Sequence, residues 1–150
     1  MISESSVPMR EVYTDLFEHS FDEKGRLTVP SEWRSEAHEK RLHVMPSRDG
    51  CLKVYPVSYM SEALRRFNQA PVNDPRRKSL ESLASSIQAV ACDQQGRVMI
   101  KKNLREMASL GKEAVLVGKF DHFEIWSRKS WSSRPDATRS FEEIAEEIGL

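Results

Sequence analysis

The strongest constraint on this chain is a segment that occurs twice. Residues 21–29 read Phe21-Asp22-Glu23-Lys24-Gly25-Arg26-Leu27-Thr28-Val29, and residues 92–100 read Cys92-Asp93-Gln94-Gln95-Gly96-Arg97-Val98-Met99-Ile100. The offset is 71 residues, and it also carries Arg34 onto Arg105, Ala37 onto Ala108 and Val44 onto Val115. Further on it carries Leu52-Lys53-Val54-Tyr55 onto Phe123-Glu124-Ile125-Trp126, with no gap required between Asp22 and Met60. Identities are sparse, but apolar positions match in kind. With a hydrophobic share of 39% and a mean hydropathy of −0.58, one copy is too lean to enclose a core. A repeat that cannot bury its own apolar face must pack against its twin.

Each copy reads the same way. A β-branched and aromatic run leads in, at 12–17 and at 87–91. An Asp-x-x-Gly-Arg hairpin loop follows, with Gly25 or Gly96 in the positive-φ position and Asp22 or Asp93 accepting loop N–H groups. The next run alternates, which puts Leu27 and Val29 on one face. Pro30 stops that strand and opens a short helix over 31–34. Two further strands are expected at 42–45 and 51–55, and their counterparts at 114–117 and 122–126. A helix over 58–67 places Met60, Leu64 and Phe67 on one stripe. The chain breaks at 70–75 before a second connector helix. After Pro135 an amphipathic helix carries Phe141, Ile144 and Ile148 on one side. The division is a first half at 10–60, a helical connector at 61–85, a second half at 86–131 and a helical tail at 132–150. Together these form one structural domain, mainly β with short helices. Two such units around a pseudo-twofold axis can close a small barrel.

Other chemistry finds little support. Lysine plus arginine and aspartate plus glutamate each number 23, so the formal net charge is +0. That total speaks against a strongly basic nucleic-acid binder, but it is unevenly spread. Residues 1–36 hold four bases against eight acids, residues 63–105 hold nine bases against three acids, and the last ten residues hold four acids and no base. A neutral chain of this kind can still turn a positive face to a polyanion. His19, His38, His43 and His122 are scattered, and Cys51 and Cys92 have no Cys-x-x-Cys neighbour, so no metal or cofactor is expected. Both cysteines are read as small apolar residues in strands. Arg76-Arg77-Lys78 is read as a solvated helix start. Phosphate-binding glycine loops and nucleophile elbows are absent, so the chain is not read as an enzyme and no small-molecule substrate is implied. No apolar run approaches the roughly 20 residues needed to span a bilayer, and Met1 to Arg10 does not read as a signal peptide. A cytoplasmic location without membrane attachment is expected.

The residues Asp22-Glu23-Lys24-Gly25-Arg26-Leu27-Thr28-Val29-Pro30 with Trp33-Arg34 resemble the first half of the MraZ family of transcriptional regulators. Asp93-Gln94-Gln95-Gly96-Arg97-Val98-Met99-Ile100 with Leu104-Arg105 resembles the second half. So do Lys112 to Gly118 and Phe123-Glu124-Ile125-Trp126. The resemblance covers roughly residues 10 to 131. It implies a duplicated swapped-hairpin, AbrB-like double-split β-barrel and assembly into a ring-like homo-oligomer. It also implies binding to repeated boxes in double-stranded promoter DNA upstream of the bacterial division and cell-wall gene cluster, and hence association with the nucleoid. The DNA-facing surface implied by the family is the pair of Asp-x-x-x-Arg loops, here Asp22 and Arg26, and Asp93 and Arg97. One position departs from the pattern. Where Pro30 stands in the first half, the second has Lys101 followed by Lys102, which leaves the start of the second short helix open and adds two positive charges beside that loop.

Within this frame, Arg26 and Arg97 are expected to carry most of the binding, because a guanidinium fork spans O6 and N7 of guanine. Lys24, Gln95, Lys101 and Lys102 assist. Asp22, Gly25, Asp93 and Gly96 shape the loops. Asp22–Arg26 and Asp93–Arg97 can equally be ion pairs that only hold the loops. A different class of function stays open, an AbrB-type antitoxin-like module that binds a protein partner. Trp131, Phe141, Ile144 and Ile148 are candidates either for subunit contacts or for packing on their own chain.

Overall fold

In the computed structural model, residues 11–150 are described. Residues 1–10, including the expected first position of the first half and the segment read as no signal peptide, lie outside the described residues. Eight strands form, β1 (Leu16–Ser20), β2 (Arg26–Thr28), β3 (Arg41–Pro46), β4 (Leu52–Pro56), β5 (Gln88–Ala91), β6 (Arg97–Met99), β7 (Glu113–Gly118) and β8 (Phe123–Trp126). Five helices accompany them, α1 (Val57–Asn68), α2 (Pro75–Leu83), α3 (Lys102–Met107), α4 (Arg128–Ser132) and α5 (Phe141–Glu147), with 3-10 turns at Ser31–Trp33 and Ala84–Ser86. All strand pairings are antiparallel. Six strands form one sheet in the order β1-β7-β8-β4-β3-β5, and β2 and β6 form a separate two-stranded ribbon. The fold is thus mainly antiparallel β with short helices.

The order is a palindrome under exchange of the two copies. β1 lies on β7 and β5 lies on β3, so each half lends its first strand to the other. Two pairings join equivalent strands, β2 with β6 and β4 with β8. Leu27 stands opposite Val98, and Lys53 opposite Glu124. A pseudo-twofold axis passes through both pairs. Leu27 and Val98 are buried from one side, and Leu52, Val54, Phe123 and Ile125 from the other, so the ribbon closes over the sheet and one core takes residues from both copies. Because neither copy can bury these faces alone, the apolar surface drives the interleaving.

Several expected elements shift. The lead-in strand begins at Leu16 rather than 12, because Asp15 adopts φ +80° and breaks the extended run. Tyr13 makes an isolated bridge to Phe120 instead. The Asp-x-x-Gly-Arg turn forms, but its flanking strands do not make an ordinary hairpin, since β1 joins the sheet and β2 the ribbon. The ungapped offset also fails in the middle. β3 corresponds to β7 with one extra residue: Leu42 and Val44 face the core, as Ala114 and Leu116 do. Val115, the expected partner of Val44, faces the opposite side with Cys51, Val117 and Trp126. Side chains alternate along a strand, so a one-residue slip reverses every face. Likewise Ala37 is exposed whereas Ala108 is buried. Cys51 and Cys92 fall just outside strand ends, the first buried and the second half-buried, both as free thiols.

The helices cover the sheet lightly. None of α1, α2, α4 or α5 contains a fully buried residue. Local caps define their starts: Asp74 accepts from Arg76 N ahead of Pro75, Ser127 from Ser130 N, and Ser140 from Glu143 N. Trp131 packs on Trp126 of its own chain, with ring centroids 5.5 Å apart. Phe141 and Ile148 remain exposed. No helix among the described residues is long and apolar enough to cross a membrane.

Candidate nucleic-acid interface

The two Asp-x-x-Gly-Arg loops sit at opposite ends of the β2–β6 ribbon and share one construction. In the first, Asp22 Oδ1 accepts the backbone N–H of Lys24 and of Arg26, each at 2.9 Å, and Oδ2 accepts Arg26 Nε at 2.7 Å. In the second, Asp93 accepts Gln95 N, Arg97 N and Arg97 Nε, all at 2.9 Å. Gly25 and Gly96 take φ +78° and +77°, the left-handed region that closes each turn. The backbone N–H of Arg26, helped by the side chain of Arg26 and the N–H of Lys24, holds the Asp22 carboxyl below its ordinary value. Asp93 is lowered in the same way, first by Arg97 N–H. Both carboxylates therefore stay charged under the loops at neutral pH.

This anchoring leaves a specific part of each arginine available. Only Nε of Arg26 and of Arg97 bonds to its aspartate, and the terminal Nη pair has no hydrogen-bond partner among the described residues. In a two-stranded ribbon alternate residues share a face. Leu27 and Val98 point into the core, so Arg26, Thr28, Arg97 and Met99 occupy the outer face. The register sets Arg26 opposite Met99 and Arg97 opposite Thr28. The result is two oriented guanidinium forks on a slim, twofold-related ribbon, suited to planar acceptors and to phosphate.

Lys24, Gln95, Lys101 and Lys102 are all exposed. Their grouping differs from the order of the chain. Ile100 N donates to Gly25 O at 3.0 Å, and Val29 N to Gly96 O at 2.8 Å. Each strand of the ribbon thus ends beside the loop of the other half. Lys101 and Lys102, expected beside the second loop, flank the first. The first loop is consequently the more basic, with Lys24, Arg26, Lys101 and Lys102 on one side of the ribbon.

Two residues that position the loops carried no role in the sequence analysis. Arg34 Nε donates to Val29 O at 2.8 Å, and Arg105 Nε donates to Ile100 O at 3.0 Å. Each guanidinium then lies across the loop glycine of the opposite copy. A Cβ on Gly96 would stand 2.5 Å from Arg34 Cζ, and one on Gly25 3.0 Å from an Arg105 terminal nitrogen. The signal was present, since Arg34 and Arg105 are among the few identities between the copies, but their sequence separation from the loops concealed the contact.

The second short helix, left open by the loss of proline, does form. Lys101 adopts φ −61° and ψ 146°, close to φ −52° and ψ 142° at Pro30. Lysine brings an N–H that proline lacks, and Gln88 Oε1 accepts it at 3.0 Å while Gln88 Nε2 donates to Met99 O at 2.9 Å. Gln88 thus caps both the helix entry and the ribbon edge.

On the far face of the sheet, Glu124 is buried beside Lys53, Lys119 and His122 and accepts Trp126 Nε1 at 2.9 Å. Burial pushes its carboxyl up, but His122, Trp126 and the two lysines pull it down by more, so it stays ionised. His122 stacks on Tyr55, and Tyr55 on Tyr59 of α1. Among the described residues no group of three or more His, Cys, Asp or Glu side chains is placed to hold a metal ion.

Comparison with known proteins adds an independent line. The profile of the family described as "MraZ protein, putative antitoxin-like" matches twice, over residues 13–81 and 83–148. The chain is 38% identical over 135 residues to the transcriptional regulator MraZ of Pediococcus pentosaceus, covering 88% of this chain and 93% of that one. It is 36% identical over 140 residues to the protein of the same name from Halothermothrix orenii, covering 89% and 96%. A third, from Desulforamulus reducens, is 37% identical over 134 residues, covering 88% and 94%. Two copies of the family profile, interleaved through exchanged strands and carrying matched Asp-x-x-Gly-Arg loops, show that the chain belongs to the MraZ family.

Proposed function

We propose that this protein is a transcriptional regulator that binds double-stranded DNA through the outer face of the β2–β6 ribbon. The observation that supports this most is the pair of arginines, Arg26 and Arg97, each tethered at Nε by an aspartate and presenting a free terminal fork on one face. A ribbon of two strands is narrow enough to enter the major groove, where such a fork reads guanine. Lys24, Gln95, Lys101 and Lys102 add contacts to phosphate and base edges. Asp22 and Asp93 do not face the DNA in this scheme; they orient the arginines and, with Gly25 and Gly96, hold the loops. Holding the loop and contacting DNA are then two uses of one side chain.

We further propose the finer scheme that the family resemblance implies. The ribbon and sheet make a swapped-hairpin, AbrB-like double-split β-barrel, and subunits assemble into a ring-like homo-oligomer in the cytoplasm, associated with the nucleoid. The ring places successive ribbons on repeated promoter boxes about 10 base pairs apart, upstream of the division and cell-wall gene cluster. A net-neutral subunit grips one box weakly, and linked ribbons raise the effective concentration. Phosphate contacts make the affinity fall steeply with salt. The chain has no catalytic role and needs no cofactor.

A mobility-shift titration on DNA upstream of the protein's own gene tests the proposal. Arg26→Ala and Arg97→Ala are each expected to weaken binding by about tenfold to a hundredfold, the worth of one bidentate base contact, with only the small fall in melting temperature that loss of one exposed ion pair brings. A fall in melting temperature large enough to explain the lost affinity would return both arginines to a loop-holding role. No shift at low salt, together with stable capture of a neighbour-encoded protein, would favour the antitoxin-like alternative.

A further inference from the structure

The two ends of the β2–β6 ribbon share a backbone and differ in charge. Arg26 and Arg97 are equivalent, each tethered at Nε by its aspartate. The braces Arg34 and Arg105 are equivalent too. Lys40 and Lys112 also match, since Cys92 N donates to Lys40 O at 3.1 Å and Phe21 N to Lys112 O at 2.8 Å. Each of these cations occurs once per end, so none of them distinguishes the ends.

The remaining exposed side chains do. The loop tip is Glu23-Lys24 on the first side and Gln94-Gln95 on the second. The strand that ends beside the first loop runs on into Lys101 and Lys102, and the strand that ends beside the second runs on into Pro30, Ser31 and Glu32. Glu106 and Glu36 follow, one on each side, and cancel. At the unmatched positions the first end therefore holds three cations and one acid, and the second holds one acid and no cation. Lys24, Lys101 and Lys102 are exposed, and among the described residues none of them has a carboxylate partner. The side-chain amides of Gln94 and Gln95 are exposed and equally unengaged among those residues.

The two sets suit different parts of a duplex. An ammonium is a hydrated point charge that pairs with phosphate whatever the sequence. A glutamine amide offers a donor and an acceptor together, which matches N7 and N6 of adenine. Glu32 beside the second loop disfavours a phosphate there. We propose that the ribbon lies on DNA in one polarity: its first-loop end anchors on the phosphate backbone through Lys24, Lys101 and Lys102, and its second-loop end reads base edges through Gln94 and Gln95 next to Arg97. This division rests on the DNA reading of the ribbon and assigns its two ends separate tasks.

The test is an anisotropy titration of the full-length protein over a range of salt. One duplex comes from upstream of the protein's own gene, and the other has the same composition in scrambled order. Lys101→Gln with Lys102→Gln is expected to weaken both duplexes by the same factor and to lower the log–log salt slope by about two for each ribbon engaged. Gln95→Ala is expected to weaken only the own-gene duplex, by about fivefold to a hundredfold, with the slope unchanged. Lys102→Ser with Ser31→Lys exchanges equivalent residues and keeps the net charge; it is expected to lower the preference for own-gene DNA at least about fivefold. Should the exchanged protein not fold, the other two variants decide. An unchanged preference in the folded exchanged protein would show that only total charge matters and would overturn the polarity. So would a lysine pair that changes preference, or a Gln95→Ala that weakens both duplexes equally. No binding to either duplex at low salt would overturn the DNA reading and the polarity together, whereas the preceding outcomes remove the polarity alone.

Discussion

At the scale of single residues, the loops depend on two glycines and two aspartates. Gly96 must be glycine for two reasons, its φ of +77° and the Arg34 guanidinium, 2.5 Å from where a Cβ would stand. Gly50 has the first constraint only, at φ +86° with open space around it. Gly50→Ala is therefore expected to cost about 1–2 kcal/mol, the penalty for an L residue in the left-handed region. Gly96→Ala should cost clearly more in the same urea titration, because Arg34 must also leave Val29 O. Equal costs would mean that Arg34 does not brace the loop. The aspartates predict a pH dependence. Both folded carboxyls are lowered below 3.8, so their contribution is complete above that value and is lost as pH falls through the lower folded value. The Arg26 and Arg97 amide resonances should both report a carboxyl titration that lies below the ordinary carboxyl value of 3.8. Asp22→Asn should abolish the titration at Arg26 and leave that at Arg97 intact. All four loop residues were legible in the sequence, because their constraint is local and spelled in adjacent positions. Arg34 and Arg105 were not, because their role is a contact between copies.

At the scale of elements, the junction of β6 and α3 shows how a departure from a motif is absorbed. Lys101 has a backbone compatible with proline, and its extra N–H is taken up by Gln88. Lys101→Pro should leave the melting temperature nearly unchanged. Gln88→Ala should destabilise the natural protein by about 1 kcal/mol. It should cost less in the Lys101→Pro background, where one of the two bonds it serves no longer exists. A double-mutant cycle measures this coupling, and strictly additive effects would contradict it. The strands and helices of both copies were foreseeable from alternation, stripes and breakers. The slip between β3 and β7 was not. β3 alternates, with Leu42 and Val44 buried and His43 and Met45 half-buried, but β7 is buried on both faces, against the core and against Trp126 and Trp131, so its sequence carries no alternation to reveal which face is which.

At the scale of the whole molecule, the exchanged strands make the halves interdependent. In one copy alone β2 lacks β6, β3 lacks β5 and β4 lacks β8. A fragment ending near residue 70 is expected to be unfolded or to dimerise with itself, as sedimentation and circular dichroism would show. A folded monomeric half would contradict the interleaving. By itself the sequence determined the duplication, the two loops, the alternating strands and the family resemblance, since these are written in local spacing and in an offset read along the chain. Tertiary structure alone decided which strand of one copy lies beside which of the other. It brought Lys101 and Lys102 to the first loop rather than the second. It set Arg34 and Arg105 across the opposite glycines. The physical reason is common to all of these. Burial of apolar surface is not directional, so a linear pattern states which faces must be covered, whereas the partner that covers each is chosen only when both copies close one core together.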